Sequence, residues 1–126
     1  MVEEIKAAYV FPGQDSLAVG MGLDLYVHYS LAREVFDEVD KTLGFSLSRL
    51  CFEGPEEDLR QTANAQPAVV TTSVACLKAA QEASQNGLPS PMFVAGHGVG
   101  AYAALVAAGV LGLSDAVRLV RERGRL

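Results

Sequence analysis

Apolar residues recur along this chain in two rhythms, one short and continuous, the other helical. Ile5 to Phe11 reads IKAAYVF, an apolar run stopped by Pro12-Gly13, and predicts a buried strand. The following PGQDSLAVGMG mixes glycines with polar residues and predicts a loop. From Ser30 onward, Leu31, Val35, Phe36, Val39 and Leu43 share one stripe, while Asp37, Glu38, Asp40 and Lys41 occupy the other faces. That spacing predicts a helix that starts after Ser30, its N-cap, and runs to about Leu43. Gly54-Pro55-Glu56-Glu57-Asp58 predicts another helix start, with Pro55 in the first helical position and acids beside the positive end of the dipole.

From about Gln66 to Asn86, Val69, Val70, Val74, Cys76, Leu77 and Ala80 form a broad apolar face, predicting a long helix ended by Gly87. Met92 to His97 predicts a second buried strand, and Ala101 to Ala108 a nearly all-apolar, buried helix. Ser114-Asp115 would open a last helix, whose arginines crowd the negative end of its dipole before Gly124. Two strands against about five helices predict an α/β fold in which a right-handed crossover joins a short parallel sheet. Two parallel strands leave both edges unpaired, so the pattern also predicts that something completes the sheet.

The 126 residues are 50% hydrophobic and 20% charged, which fits one small domain or one piece of a larger one and argues against disorder. A net charge of −5, with basic residues clustered only at Arg118, Arg121, Arg123 and Arg125, argues against general nucleic-acid binding. Cys51 and Cys76 have neither CxxC spacing nor a neighbouring His, so no metal site is expected. Both are expected to be small buried hydrophobes in a reducing compartment. The acidic start, Met1-Val-Glu-Glu-Ile, is unlike a secretory signal. Met92 to Ser114 lacks Asp, Glu, Lys and Arg over 23 residues, but its five glycines and its change of rhythm fit strand, turn and helix better than a membrane span. A soluble, cytoplasmic protein without a membrane segment is the expectation.

Candidate chemistry centres on Gly96-His97-Gly98-Val99-Gly100, between the second strand and the helix after it. One reading is a nucleophile elbow, G-x-S-x-G, with Gly98 in place of serine and the Val99 amide facing an oxyanion. Another is a dinucleotide-binding turn, since Gly98 to Ala103 matches G-x-G-x-x-A. The acid that should follow at a strand end is missing there, because Asp115 and Glu122 fall in a predicted helix. The plainest reading is that small residues merely let a helix pack on a strand.

Five motifs occur in one order: FPGQ at Phe11 to Gln14, Gly54-Pro55, QPA at Gln66 to Ala68, AGH-x-x-G-x-YAALVAAGVL from Ala95 to Leu111, and RERGRL at Arg121 to Leu126. Together they resemble the malonyl-CoA:acyl-carrier-protein transacylase family, which includes acyltransferase domains of fatty-acid and polyketide synthases. The resemblance runs from about Ile5 to Leu126, well under half of a complete family member. It implies a partial α/β-hydrolase-like acyltransferase core, with residues 1–126 forming the amino-terminal part of the large subdomain. It further implies ping-pong transfer of malonyl from CoA to an acyl carrier protein, with the CoA thioester as substrate and no resident cofactor.

Residue by residue, the resemblance places Gly98 at the nucleophile position and makes the amides of Val99 and Gln14 the oxyanion donors. Arg123 matches the arginine that pairs with the malonyl carboxylate, a task suited to a planar guanidinium fork. Gln66 matches a polar active-site residue, and His97 precedes the nucleophile without being the base. The departures cluster at this site. GHSLGE is GHGVGA here, with Gly98 for serine and Ala101 for the acid, and FPGQGSQ is FPGQDSL, with Asp15 adding negative charge and Leu17 replacing glutamine. The resemblance puts the catalytic histidine, the ferredoxin-like subdomain and the later strands beyond Leu126. An acyltransferase-like segment inactive by itself is therefore expected. The alternatives are a non-catalytic or split-half module that pairs with a complementary polypeptide or itself through its sheet edges, and a CoA- or nucleotide-binding turn without chemistry.

Overall fold

The computed structural model describes residues 6–126; Ile5, the first residue of the predicted opening strand, lies outside them. Strand β1 spans Ala7–Phe11 and is followed by a 3-10 turn at Gln14–Ser16. Five helices then intervene: α1 (Leu23–His28), α2 (Ser30–Leu43), α3 (Leu47–Glu53), α4 (Glu56–Leu59) and α5 (Thr62–Ala83). Strand β2 (Pro91–Gly96) leads through a tight turn into α6 (Gly100–Ala107) and α7 (Leu113–Arg125). The described residues thus hold seven α-helices rather than about five, because α1 and α3 form where the sequence carries no long periodic stripe.

The two strands pair in parallel, with Ala8 opposite Phe93, Tyr9 opposite Val94, Val10 opposite Ala95 and Phe11 opposite Gly96. Alternation along a strand sends neighbours to opposite faces, and here only one face is covered. Phe11 is buried, with Tyr9 and Val94 half-buried, while Val10 is 73% and Phe93 63% exposed. The expectation of two buried strands is corrected accordingly: among the described residues, no element lies over the second face. Parallel sheets are ordinarily covered on both sides, so the exposure of Val10 and Phe93 sets this pairing apart.

The core lies between the helices. Phe36, Val39, Leu47, Leu59, Val70, Val117 and Val120 are fully buried. Phe36 also packs edge-on against Phe52, at 5.0 Å between ring centroids, with Tyr26 completing the cluster at 5.4 Å from Phe52. This cluster holds α1 and α3 against α2. α3 is also capped from α2: the Asp40 carboxylate accepts from the Ser48 amide at 2.9 Å and from the Ser48 hydroxyl.

Several ends differ from expectation for identifiable reasons. Ser30 is the first helical residue of α2 instead of its cap; its hydroxyl and the Leu31 amide donate to Glu82 of α5, at 2.8 and 2.9 Å. Pro55 is the N-cap of α4 rather than its first helical residue. α5 begins at Thr62, ahead of Gln66, and carries Pro67 inside it. Proline cannot donate to the carbonyl four residues back, and that carbonyl, on Ala63, accepts from Arg121 of α7 at 3.1 Å. At its other end α5 stops at Ala83, where Gln85 and Asn86 take left-handed conformations before Gly87 is reached. α7 is capped by Gly112, leaving Ser114 inside the helix with its hydroxyl 3.1 Å from that of Thr42. α6 is only partly buried: Ala103 and Ala104 are covered, but Leu105 is 39% exposed. Cys51 is buried as expected, whereas Cys76 is exposed on α5, where it lines an apolar cavity together with Tyr9, Val10 and Phe11 of β1.

Candidate acyltransferase elbow

The turn joining β2 to α6 is built by what its glycines lack. A Cβ on Gly96 would lie 2.2 Å from the backbone carbonyl of Gly100, and one on Gly100 would lie 2.5 Å from the carbonyl oxygens of Phe11 and Pro12. No side chain fits either position, so both glycines are required for strand and helix to approach. Gly98 between them is different in kind. Its φ is +55°, a left-handed value that favours glycine, yet nothing lies within 4 Å of where its Cβ would point. Flanking glycines fixed by packing, around a left-handed residue whose side-chain direction is open, are the geometry of a nucleophile elbow.

That contrast separates the three readings of the motif. Simple packing accounts for Gly96 and Gly100 but not for an open, left-handed Gly98. The dinucleotide reading needs an acid at the end of a following strand, and the two acids at issue lie on α7. There Asp115 pairs with Arg118 at 3.7 Å and Glu122 with Arg125 at 3.0 Å.

The FPGQ turn backs directly onto this elbow. The His97 amide donates to the Phe11 carbonyl at 3.0 Å, and a Cβ on Gly13 would lie 2.9 Å from the His97 carbonyl oxygen. Gln14 opens the 3-10 turn that follows, so its amide has no intrahelical partner. Among the described residues, the amides of Gln14, Gly98 and Val99 donate to no protein acceptor. The Val99 side chain is 3% exposed and anchors the turn in the core, whereas His97 is exposed.

Arg123 approaches from α7, whose backbone is pinned against the first turn of α5. A Cβ on Gly124 would lie 2.5 Å from the Thr62 carbonyl oxygen, and Arg121 donates to Asn64 Oδ1 at 2.9 Å besides the Ala63 carbonyl. Burial lowers the Arg121 pKa from its ordinary value, and the Phe45 ring 4.6 Å from its guanidinium carbon offers compensating attraction. Arg123 points elsewhere and lies over Tyr102, 5.8 Å from the ring centroid, in the first turn of α6. Gln66 sits in α5, 7% exposed, with an Oε1 that accepts no hydrogen bond among the described residues. An orphaned buried acceptor is costly.

The structure therefore packs the turn that Gln14 opens against the turn that holds His97, Gly98 and Val99, and ties Arg123 to the latter through Tyr102. Gln66 is buried on a helix packed against α6 and α7, without a hydrogen bond to the other five. Sequence reasoning passed over Gly13 and Tyr102. The signal for Tyr102 was its place three residues after Val99, on the helix that the elbow opens. Among the described residues, no group of three or more His, Cys, Asp or Glu is arranged to hold a metal ion, and no helix is long and apolar enough to cross a membrane.

Comparison with known proteins agrees with this geometry. The malonyl CoA-acyl carrier protein transacylase of Bacillus subtilis (strain 168) is 51% identical over 119 residues, which cover 94% of this chain and 36% of the relative. The solved structure of the Coxiella burnetii malonyl CoA-acyl carrier protein transacylase superposes with a TM-score of 0.92 at 41% identity, covering 99% of this chain and 39% of that one. A malonyl-transacylase in complex with a type II PKS acyl-carrier protein gives a TM-score of 0.88 at 41% identity, with 96% and 38% covered. The chain thus spans little more than a third of the length of these relatives. The family described as the acyl transferase domain matches residues 8–126, its elbow and FPGQ turn included, and the chain belongs to that family.

Proposed function

We propose that residues 1–126 are the elbow-bearing, amino-terminal part of the large subdomain of a malonyl-CoA:acyl-carrier-protein transacylase fold, without covalent activity of their own. The observation that carries this reading is Gly98, left-handed and open above, between two glycines that cannot be replaced. A thioester carbonyl seated over Gly98 would place its oxygen toward the free amides of Val99 and Gln14. Preorganised amides of this kind stabilise the oxyanion of acyl transfer. Arg123 would take the malonyl carboxylate, while Gln66 and His97 would line the site.

The covalent step is what these residues cannot perform. Glycine has no hydroxyl to attack the acyl carbon, and the two histidines of the sequence, His28 and His97, do not match the family's base. Binding and electrostatic stabilisation can survive the loss of the nucleophile, whereas the acyl-enzyme cannot form. The bare face of the sheet, with Val10 and Phe93 exposed, supports a larger fold in which later strands and a ferredoxin-like subdomain cover it. Malonyl-CoA as acyl donor, an acyl carrier protein as acceptor and a cytoplasmic setting follow from the same reading, because the relatives named above carry that activity in their names.

The test is incubation with isotopically labelled malonyl-CoA followed by intact-mass measurement. The expected spectrum contains only the unmodified chain. A stoichiometric malonyl adduct would overturn the reading.

A further inference from the structure

Helix α7 carries four arginines, and three of them are engaged by polar partners. Arg118 pairs with Asp115, Arg125 pairs with Glu122, and Arg121 donates to the Ala63 carbonyl and to Asn64. Arg123 is exposed and, among the described residues, has no carboxylate within 4 Å and makes no side-chain hydrogen bond, but its guanidinium carbon lies 5.8 Å from the centroid of the Tyr102 ring. We infer that Tyr102 is a positioning residue, holding Arg123 at the elbow so that its fork stays free for a carboxylate. The inference rests on the carboxylate role proposed above for Arg123.

The physical argument turns on what an aromatic ring does to a guanidinium. An acid partner would use the N–H donors that a substrate carboxylate needs, whereas a ring attracts the cation through its quadrupole and leaves those donors unused. Arg123 would otherwise be a long, mobile side chain at a helix end. Its backbone is already fixed, because Gly124 is seated on the Thr62 carbonyl and Arg121 is tied to the same turn of α5. What remains free is the side chain itself. Tyr102 lies three residues after Val99, and its amide donates to the Val99 carbonyl at 3.1 Å, so the ring is tied to the turn that would receive the thioester. An arginine held there loses less freedom on binding than one moving in solvent.

The attraction comes from the ring and not from the hydroxyl, so phenylalanine should serve and an aliphatic residue should not. The experiment is calorimetric titration of the whole chain with malonyl-CoA and with acetyl-CoA, comparing native protein with Tyr102→Phe, Tyr102→Leu and Arg123→Ala. The ratio of the two affinities is independent of how much protein is folded, so a merely structural role for Tyr102 would not move it. The native chain should prefer malonyl-CoA, and Arg123→Ala should abolish the preference. Tyr102→Leu should lower it about two- to fivefold, the range of a partly exposed cation–π contact, while Tyr102→Phe should retain it. A preference that Arg123→Ala abolishes and Tyr102→Leu leaves intact overturns the role of Tyr102. A native chain that binds both thioesters equally, unchanged by Arg123→Ala, overturns the carboxylate reading beneath it.

Discussion

Cys51 and Cys76 show how far the same residue type can diverge within one small fold. Cys51 is fully buried in α3, and desolvation, reinforced by the nearby Asp40 carboxylate, pushes its thiol up to about 12. Cys76 is exposed, at the rim of an apolar cavity of about 490 Å³ between β1 and α5. The thiolate is the reactive form, so an aromatic disulfide reagent at pH 8 should titrate one thiol of the native chain rapidly and the second only after unfolding. Cys76→Ser should remove the rapid phase; a rapid phase surviving that change would show Cys51 to be accessible. The sequence does not separate the two residues, because each stands between two apolar neighbours, Leu50 and Phe52 for Cys51 and Ala75 and Leu77 for Cys76. What distinguishes them is how the elements pack, with Cys51 enclosed in α3 and Cys76 on an exposed position of α5.

At the scale of elements, α5 is the helix whose local and long-range determinants disagree. The apolar face from Val69 to Ala80 predicts a start near Gln66, yet α5 begins at Thr62 and carries Pro67 inside it. The Ala63 carbonyl that Pro67 leaves unpaired accepts from Arg121, 58 residues away. A double-mutant cycle measures this compensation. Arg121→Met alone should cost about 1–3 kcal/mol, the range for orphaning a buried polar group. In a Pro67→Ala background the helix can satisfy Ala63 by itself, so the same change should cost less, with a coupling of about 0.5 kcal/mol or more in urea unfolding. Strict additivity would contradict the account. Helices α1 and α3 were illegible for a related reason. Each is under eight residues long and is held by Tyr26, Phe36, Phe52 and Asp40, contacts that no local window contains. By contrast, α2 is amphipathic over its whole length, and its predicted end at Leu43 matches the observed one, while its start differs only in that Ser30 is the first helical residue and Tyr29 the cap.

At the scale of the molecule, the helices form a core that is closed on itself, while the sheet is not closed. The parallel pairing and the unpaired edges were legible from two apolar runs separated by helices. The bare face was not, because an apolar strand reads the same whether a neighbour covers it or not. The elbow itself was legible only as a spacing of glycines, with three readings open; the close approaches at Gly96 and Gly100 and the open space at Gly98 distinguish them. Strand, turn and helix all converge on that point, so the claim that the chain carries an acyltransferase elbow with an open nucleophile position can be tested without any ligand. The measurement is the urea-unfolding free energy of Gly96→Ala, Gly98→Ala and Gly100→Ala. A Cβ at Gly98 meets only left-handed backbone strain and should cost about 1–2 kcal/mol. At Gly96 or Gly100 it collides with backbone, and the loss should be about 3 kcal/mol or more, or the chain should fail to fold. Equal costs at all three positions, or a larger one at Gly98, would contradict the elbow.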